Sequence, residues 1–302
     1  MMDILDELAN FGSVEKDRPL SEMTTLRIGG PCAYVVYPEN GMGLIALMRY
    51  LREKEVPWKI FGKGSDILCS DDAYEGVVIR LDRHMNDAFF VGDRVMAQAG
   101  CSIIALAVTA MKHGLSGLEF ASGIPGTVGG AVYMNAGAYK ASMMDIVKRV
   151  LVLKDEEISW MDVSECGFSY RTSVFQDHPD WVVLAVEMEL TEDDPEKIEA
   201  LMDDRRQRRL ASQPLNYPTC GSVFRNPEGY NAWQLIEGIG YRGLRKGGAM
   251  VSDKHCNFIV NENHATAADY IALVEEIQEK VEAQYGVRLH TEMEKFNWNS
   301  KK

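Results

Sequence analysis

The chain has 302 residues, 46% hydrophobic and 25% charged, the balance of a folded globular protein of two or three domains. Its formal net charge of −13 argues against nucleic acid as a partner, because neutralising phosphates takes a basic face. No apolar run approaches the roughly 18 residues that span a bilayer, and the acidic N-terminus has no signal-peptide pattern, so a cytoplasmic protein without a membrane partner is expected. The cysteines at 32, 69, 101, 166, 220 and 256 form no C-x-x-C pair. Buried reduced thiols are expected, rather than disulfides or a metal site.

In chain order, residues 1–80 read as a small α/β unit. Ala33–Tyr37 is a β-rich run. Gly41–Lys54 has helical spacing, with Leu44, Leu47, Met48 and Leu51 on one face. Lys59–Phe61 and Val77–Leu81 are short strands on either side of the glycine-punctuated turn FGKGSDILCSD, 61–71. Phe89–Val91 and Arg94–Ala97 form a hairpin around Gly92-Asp93. Ser102 caps a helix through about His113, with Ile103, Leu106, Ala107 and Ala110 inward and Gly114 as the stop.

The next segment, GLEFASGIPGTVGGAVYMNAGAY (117–139), has too little side chain to make an ordinary amphipathic element. Its glycines let backbone approach something closely and adopt dihedrals that other residues avoid. A phosphate or a flat cofactor held by main-chain N–H groups is the expected partner. The segment is neither a P-loop nor a G-x-G-x-x-G fingerprint.

Val147–Lys154 and Trp181–Leu190 read as strands, with FSYRTSVF (168–175) between them. Asp194-Pro195 opens a charged helix to about Ala211. Its RRQRR run reads as a solvated face. A helix near Ala232–Gly238 and a long one over Thr266–Gln284 bracket AMVSDKHCNFIVN, 249–261. Ile271, Val274, Ile277 and Val281 form the long helix's core stripe. A strand over Val287–Lys295, containing LHTEM, closes the chain.

Seven segments occur together in one order: TTLRIGG (24–30), GKGSD (62–66), SGIPGTVGGAVYMNAGAY (122–139), YRTSVF (170–175), CGSVFRNP (220–227), KHCNFIVN (254–261) and the glutamate of LHTEM (289–293). In this the chain resembles the UDP-N-acetylenolpyruvoylglucosamine reductase family, flavoenzymes of bacterial peptidoglycan precursor synthesis, over nearly its whole length. Cys220 follows Phe175 by 45 residues, which resembles the shorter, type II form.

The resemblance implies an α+β fold. Two subdomains of the vanillyl-alcohol oxidase type would clasp FAD, at 1–80 and 81–211, with 287–302 able to return to the first. A C-terminal α/β domain at 212–290 would bind the substrate. It also implies noncovalent FAD, NADPH as co-substrate, a UDP-sugar substrate and a monomer. Gly62, Lys63, Gly64, Ser65 and Asp66 match one FAD-binding turn. The family more often has glycine at Lys63 and asparagine at Asp66. Gly123, Ile124, Pro125, Gly126, Thr127, Val128 and Gly129 match the second wall.

The implied chemistry assigns Arg171 to the substrate carboxylate, where a planar guanidinium suits building charge. Glu292 has to carry or share a proton so as not to repel that charge. Ser222 is the implied proton donor to the carbanionic carbon, with Arg225 as a polarising neighbour. If 220–222 is a strand, Cys220 faces the same side and competes as the stronger acid. Tyr170, Arg225, Tyr241, Arg242, Lys246, Lys254, His255 and Asn257 are weaker candidates for the UDP-sugar. Rival readings are another flavin oxidase or dehydrogenase on the same fold, a flavin-binding protein without catalysis, and a structural α/β protein with glycine-rich turns.

Overall fold

The computed structural model describes residues 4–298. These divide into two compact units. The first holds the chain up to Lys16, Tyr34–Lys63 and Gly76–Arg208; the second holds Asp17–Ala33, Gly64–Glu75 and the chain from Arg209 on.

The first unit is built on two sheets. One has the order Gly12–Pro19, Pro31–Pro38, Tyr74–Arg80, Trp58–Phe61, and its last two strands run parallel with Trp58 opposite Val77. The other is antiparallel throughout, in the order Glu157–Asp162, Val147–Lys154, Val182–Glu189, Arg94–Gln98, Ala88–Val91. Its central strand Val182–Glu189 is buried through Met188, as a strand covered on both faces must be.

The helices form where their caps and stripes predict. Asn40 Oδ1 accepts from the N–H of Gly43 at 3.0 Å and starts Gly41–Glu53, which buries Leu44, Leu47, Met48 and Leu51. Ser102 Oγ accepts from Ala105 and starts Ile103–Lys112; Gly114, at φ +69°, ends the turn beyond it. The charged helix Pro195–Ser212 buries only Ile198 and Met202. On its solvated side Arg206 pairs with Asp203 and Arg208 with Asp204.

The second unit has its own core around Leu26, Ile28, Leu68, Val223, Phe224 and Tyr270. A three-stranded antiparallel sheet runs Arg245–Lys246, Ala249–Val251, Ile259–Asn261. The helix Ala267–Tyr285 buries the expected Ile271, Val274, Ile277 and Val281. Its N-terminal N–H groups are taken by the protein's own acids. Asp269 closes a capping box with Thr266, and the Asp71 carboxylate accepts from Ala267 and Ala268.

Three expectations need correction. The closing strand is only Glu294–Phe296, parallel to Ile67–Cys69, while Thr291 bridges to Phe224. Glu292 and Met293 form a bend between the two pairings and interrupt the strand. Within the glycine-rich stretch, Val128–Tyr133 is a short helix that buries Val128, Ala131 and Val132. The strands Gly12–Pro19 and Glu157–Asp162 were not expected. Neither shows a clean alternation of buried and exposed residues. All six cysteines are buried.

Candidate active site

The glycine-rich wall lies in the first unit and is held from behind. Glu119, buried at its entry, accepts from Ser116 Oγ at 2.6 Å and from the N–H of Gly117 at 3.0 Å. Ile103 N–H donates to Gly126 O, and Val128 and Gly129 donate to Cys101 O and Ala99 O. Thr127 Oγ1 caps the short helix by accepting from Gly130 at 3.2 Å. A Cβ on Gly129 would lie 2.9 Å from that of Ala99, and one on Gly62 2.7 Å from Thr127 Oγ1. The unit thus brings Gly62 of the first motif against Thr127 of the second. A Cβ on Gly126 would meet nothing nearer than Ile124, at 4.0 Å. Thr127 is buried, yet its main-chain N–H and that of Gly123 find no acceptor among the described residues.

Lys63 closes the first unit's part of GKGSD. Its ammonium sits 3.0 Å from Asp82, which also accepts from Arg80 at 2.6 Å. Burial alone would raise the Asp82 carboxyl, but these two cations outweigh it and hold the group below its ordinary value. In the second unit Gly64 takes φ +60°, and any Cβ there would run into Met23 O. Its carbonyl accepts from Thr25 N–H, and that of Asp66 from Glu294 N–H. The N–H groups of Gly64 and Ser65 find no main-chain acceptor among the described residues.

Arg171 lies in a tight turn, at φ +56°, closed by paired 3.1 Å bonds between Ser169 and Thr172. Its Nη2 donates to Gly137 O at 2.8 Å, and its guanidinium lies over the half-exposed Tyr170 ring. The turn is tied to the glycine-rich wall. Tyr133 O, at the helix end, accepts from Ser173 Oγ at 2.6 Å and Gln176 Nε2 at 3.0 Å. Gln176 Nε2 also donates to Arg171 O at 3.1 Å. Helix-end carbonyls lack intrahelical donors, and here the Arg171 segment supplies them.

The segments that carry Ser222 and Glu292 pair in the second unit. Both residues are half-buried. Glu292 N–H donates to Val223 O at 2.8 Å, Arg225 N–H donates to His290 O at 2.9 Å, and Phe224 bridges Thr291 between them. Asn257, buried, grips the same segment: Oδ1 accepts from Phe224 N–H and Nδ2 donates to Phe224 O. Arg225 Nε is buried without a partner among the described residues.

Residues 220–222 are not a strand. Gly221 stands at φ +84° and breaks the alternation that would put Cys220 and Ser222 on one face. The Cys220 thiol is fully buried and lies 3.1 Å from the Tyr270 hydroxyl. Burial pushes it up to about 12, so it stays a protonated thiol, sealed from solvent against Tyr270.

The weaker candidates separate. Tyr241 donates to Glu276 at 2.6 Å, and burial with that bond pushes its hydroxyl up to about 12. Lys246 pairs with the same Glu276. Arg242 pairs with Glu237 at 2.7 Å and also donates to Asp253 O. Lys254 reaches Leu210 O. His255 is not a ready cation: burial, then the Arg242 charge, hold its imidazole below the ordinary value, and Nδ1 accepts from Asn257 N–H at 3.2 Å. Asn257 is spent on Phe224, a clamp 33 residues away that no local signal reveals. The second unit therefore brings together Ser222, Arg225, Asn257 and Glu292, while Tyr241 and Lys246 converge on an acid of their own. Asn135, Ser173 and Gln176 escaped the sequence reading, although all stand within or beside the quoted motifs.

Comparison with known proteins gives the family. The family model for an FAD binding domain matches residues 32–160, and that for the C-terminal domain of UDP-N-acetylenolpyruvoylglucosamine reductase matches 213–296. The chain is 42% identical over 297 residues to UDP-N-acetylenolpyruvoylglucosamine reductase 1 of Bacillus thuringiensis subsp. konkukian, covering 97% of this chain and 99% of that one. It is 44% identical over 287 residues to the reductase of Anoxybacillus flavithermus, covering 95% of each. The crystal structure of the reductase from Thermus caldophilus superposes with a TM-score of 0.83 at 35% identity, over 95% of this chain and all of that one. Identity of this order over almost the full length of both partners leaves one assignment: the chain belongs to the UDP-N-acetylenolpyruvoylglucosamine reductase family.

Proposed function

We propose that the chain reduces UDP-N-acetylglucosamine enolpyruvate to UDP-N-acetylmuramate, with FAD as cofactor and NADPH as reductant. The observation that carries this is the pairing of the two segments that hold Ser222 and Glu292: Glu292 N–H donates to Val223 O, the residue after Ser222, while the Cys220 thiol is buried against Tyr270.

The residues present fit a flavin. The buried Thr127 and the neighbouring Gly123 offer main-chain donors that find no acceptor among the described residues, as do Gly64 and Ser65. Gly126 keeps its surroundings clear of side chain. Turns of this kind suit a pyrophosphate or a ring edge. When bound, FAD supplies the hydride for the enolpyruvyl group.

The chain's own residues then have three tasks. Arg171 holds the substrate carboxylate, its planar fork always charged. Ser222 Oγ gives its proton to the carbon next to that carboxylate. Glu292 stands beside it to support the transfer. The turns at 62–66 and 123–129 hold the cofactor. Tyr170, Arg225, Tyr241, Arg242, Lys246 and Lys254 are the candidates to recruit for the UDP-sugar. Arg225, with its unspent Nε, is the first to test. In this reading 1–80 and 81–211 form the cofactor subdomains and 212–290 the substrate domain. A binding protein without catalysis has no need of Arg171, Ser222 and Glu292 together.

The test is anaerobic. The bound flavin is reduced with NADPH, the enolpyruvyl UDP-sugar is added, and the oxidised flavin spectrum should return. A flavin that stays reduced would refute the proposal.

A further inference from the structure

We propose that Asn135 is the positioning residue for Arg171, and that through it the glycine-rich wall sets the geometry of the carboxylate clamp. This rests on the reading of Arg171 given above. Asn135 is 2% exposed and left-handed, at φ +40°. It stands just past the short helix Val128–Tyr133, after the C-cap residue Met134. Its amide is divided between two places. Oδ1 accepts from Met144 N–H at 3.0 Å, which holds the return of the chain after the 137–142 hairpin. Nδ2 donates to Ser169 O at 2.8 Å, which holds the first residue of the Arg171 turn.

That turn needs holding. Arg171 is itself left-handed, a conformation that costs an ordinary residue on the order of 1–2 kcal/mol. YRTSVF contains no glycine, proline or asparagine to favour it. The turn is kept by its surroundings: the Ser169–Thr172 pair, Ser173 and Gln176 on Tyr133 O, Arg171 Nη2 on Gly137 O, and Asn135 at its entrance. Strain at a functional residue persists where the environment over-determines it. Of these contacts, Asn135 alone joins Ser169 to the hairpin that carries Gly137, the acceptor of the Arg171 guanidinium. It therefore fixes both ends of that side chain's support.

The substitution Asn135→Asp isolates the claim. It keeps a residue that tolerates φ > 0 and an acceptor for Met144 N–H, but replaces the donor to Ser169 O with an oxygen. Asn135→Gly is the second variant: it keeps the backbone and removes the amide. Flavin content and reduction by NADPH should stay within about twofold of the parent. Reoxidation by the enolpyruvyl UDP-sugar should slow by on the order of 10²-fold, the scale of a small misplacement of a clamp. In an Arg171→Lys background the same change should add little, because the two residues act as one unit. Independently of turnover, amide hydrogen exchange at Ser169 and Thr172 should quicken about tenfold in Asn135→Asp, with Ile103–Lys112 unchanged. Unchanged exchange, equal slowing of both half-reactions, or losses that multiply with Arg171→Lys would overturn the inference. If the parent flavin is not reoxidised by the sugar, the functional reading fails. The exchange data then decide by themselves whether Asn135 holds the turn.

Discussion

Glu292 N–H donates to Val223 O at 2.8 Å, so Ser222 and Glu292 lie one step apart on facing segments. That placement is made by main chain, so removing either side chain should leave the segment in place. Ser222→Ala should keep flavin reduction by NADPH at the parent rate and slow reoxidation by the substrate by about 10²–10⁴-fold, the usual scale for a positioned proton donor. Cys220→Ala should slow neither step comparably. Stopped-flow absorbance of the flavin reads both steps. A mild Ser222→Ala alongside a severe Cys220→Ala would reverse the assignment.

Three glycines of the two motifs do different jobs, and alanine separates them. At Gly64 a Cβ meets φ +60° and the Met23 carbonyl; at Gly129 it meets Ala99. Both changes should lower stability, Gly64→Ala by at least about 2 kcal/mol and Gly129→Ala by about 1–3 kcal/mol. Gly126 has open space at its Cβ. Gly126→Ala should leave thermal unfolding of the apoprotein within about 0.5 kcal/mol of the parent, yet weaken flavin retention by about tenfold or more. Unchanged flavin content in Gly126→Ala would remove this part of the wall from the cofactor site.

The same contrast shows how far the residues alone could be read. Ile103–Lys112 was legible because cap, apolar period and stop all agreed, and Gly41–Glu53 because its apolar period was clear. Glu157–Asp162 was not, because an edge strand with Ile158 exposed shows no inward face. The motifs put Ser222 and Glu292 on one short roster and Asn257 among the sugar candidates, but not the Asn257 clamp on Phe224, which exists only once the two are folded together. The left-handed turn at Arg171 has no turn-forming residue to announce it. Tertiary hydrogen bonds impose it, and no local pattern encodes those.

The hairpin 137–142 carries a correctable strain. Its two turn residues, Tyr139 at φ +55° and Lys140 at φ +65°, both occupy the left-handed region that such turns reserve for Asn and Gly. Tyr139 has compensation, because its hydroxyl donates to Arg205 O at 3.0 Å and its ring meets the Arg205 guanidinium. Lys140→Gly should therefore raise the unfolding free energy by about 1 kcal/mol. Tyr139→Gly should gain less or lose, since it also removes those contacts. Denaturant unfolding of the two variants checks the order.

His255 gives the segment around Ser222 a dependence on pH. Burial, then the Arg242 charge, hold its imidazole below the ordinary value of about 6.5. Its Nδ1 accepts from Asn257 N–H, and the Asn257 amide holds Phe224. Protonation at Nδ1 would remove that acceptor. The sign follows from the lowered value: the unfolded chain takes up the proton more readily, so the contribution to stability is whole above about pH 6.5 and is lost as pH falls through the folded value. Proton NMR should show the His255 ring titrating below an ordinary histidine. Unfolding free energy should fall over the same interval, and His255→Gln should flatten that part of the profile while leaving the acid limb set by carboxylates such as Asp82. A ring that titrates above the ordinary value, or a profile that His255→Gln leaves unchanged, would sever the link between this histidine and the Ser222 segment.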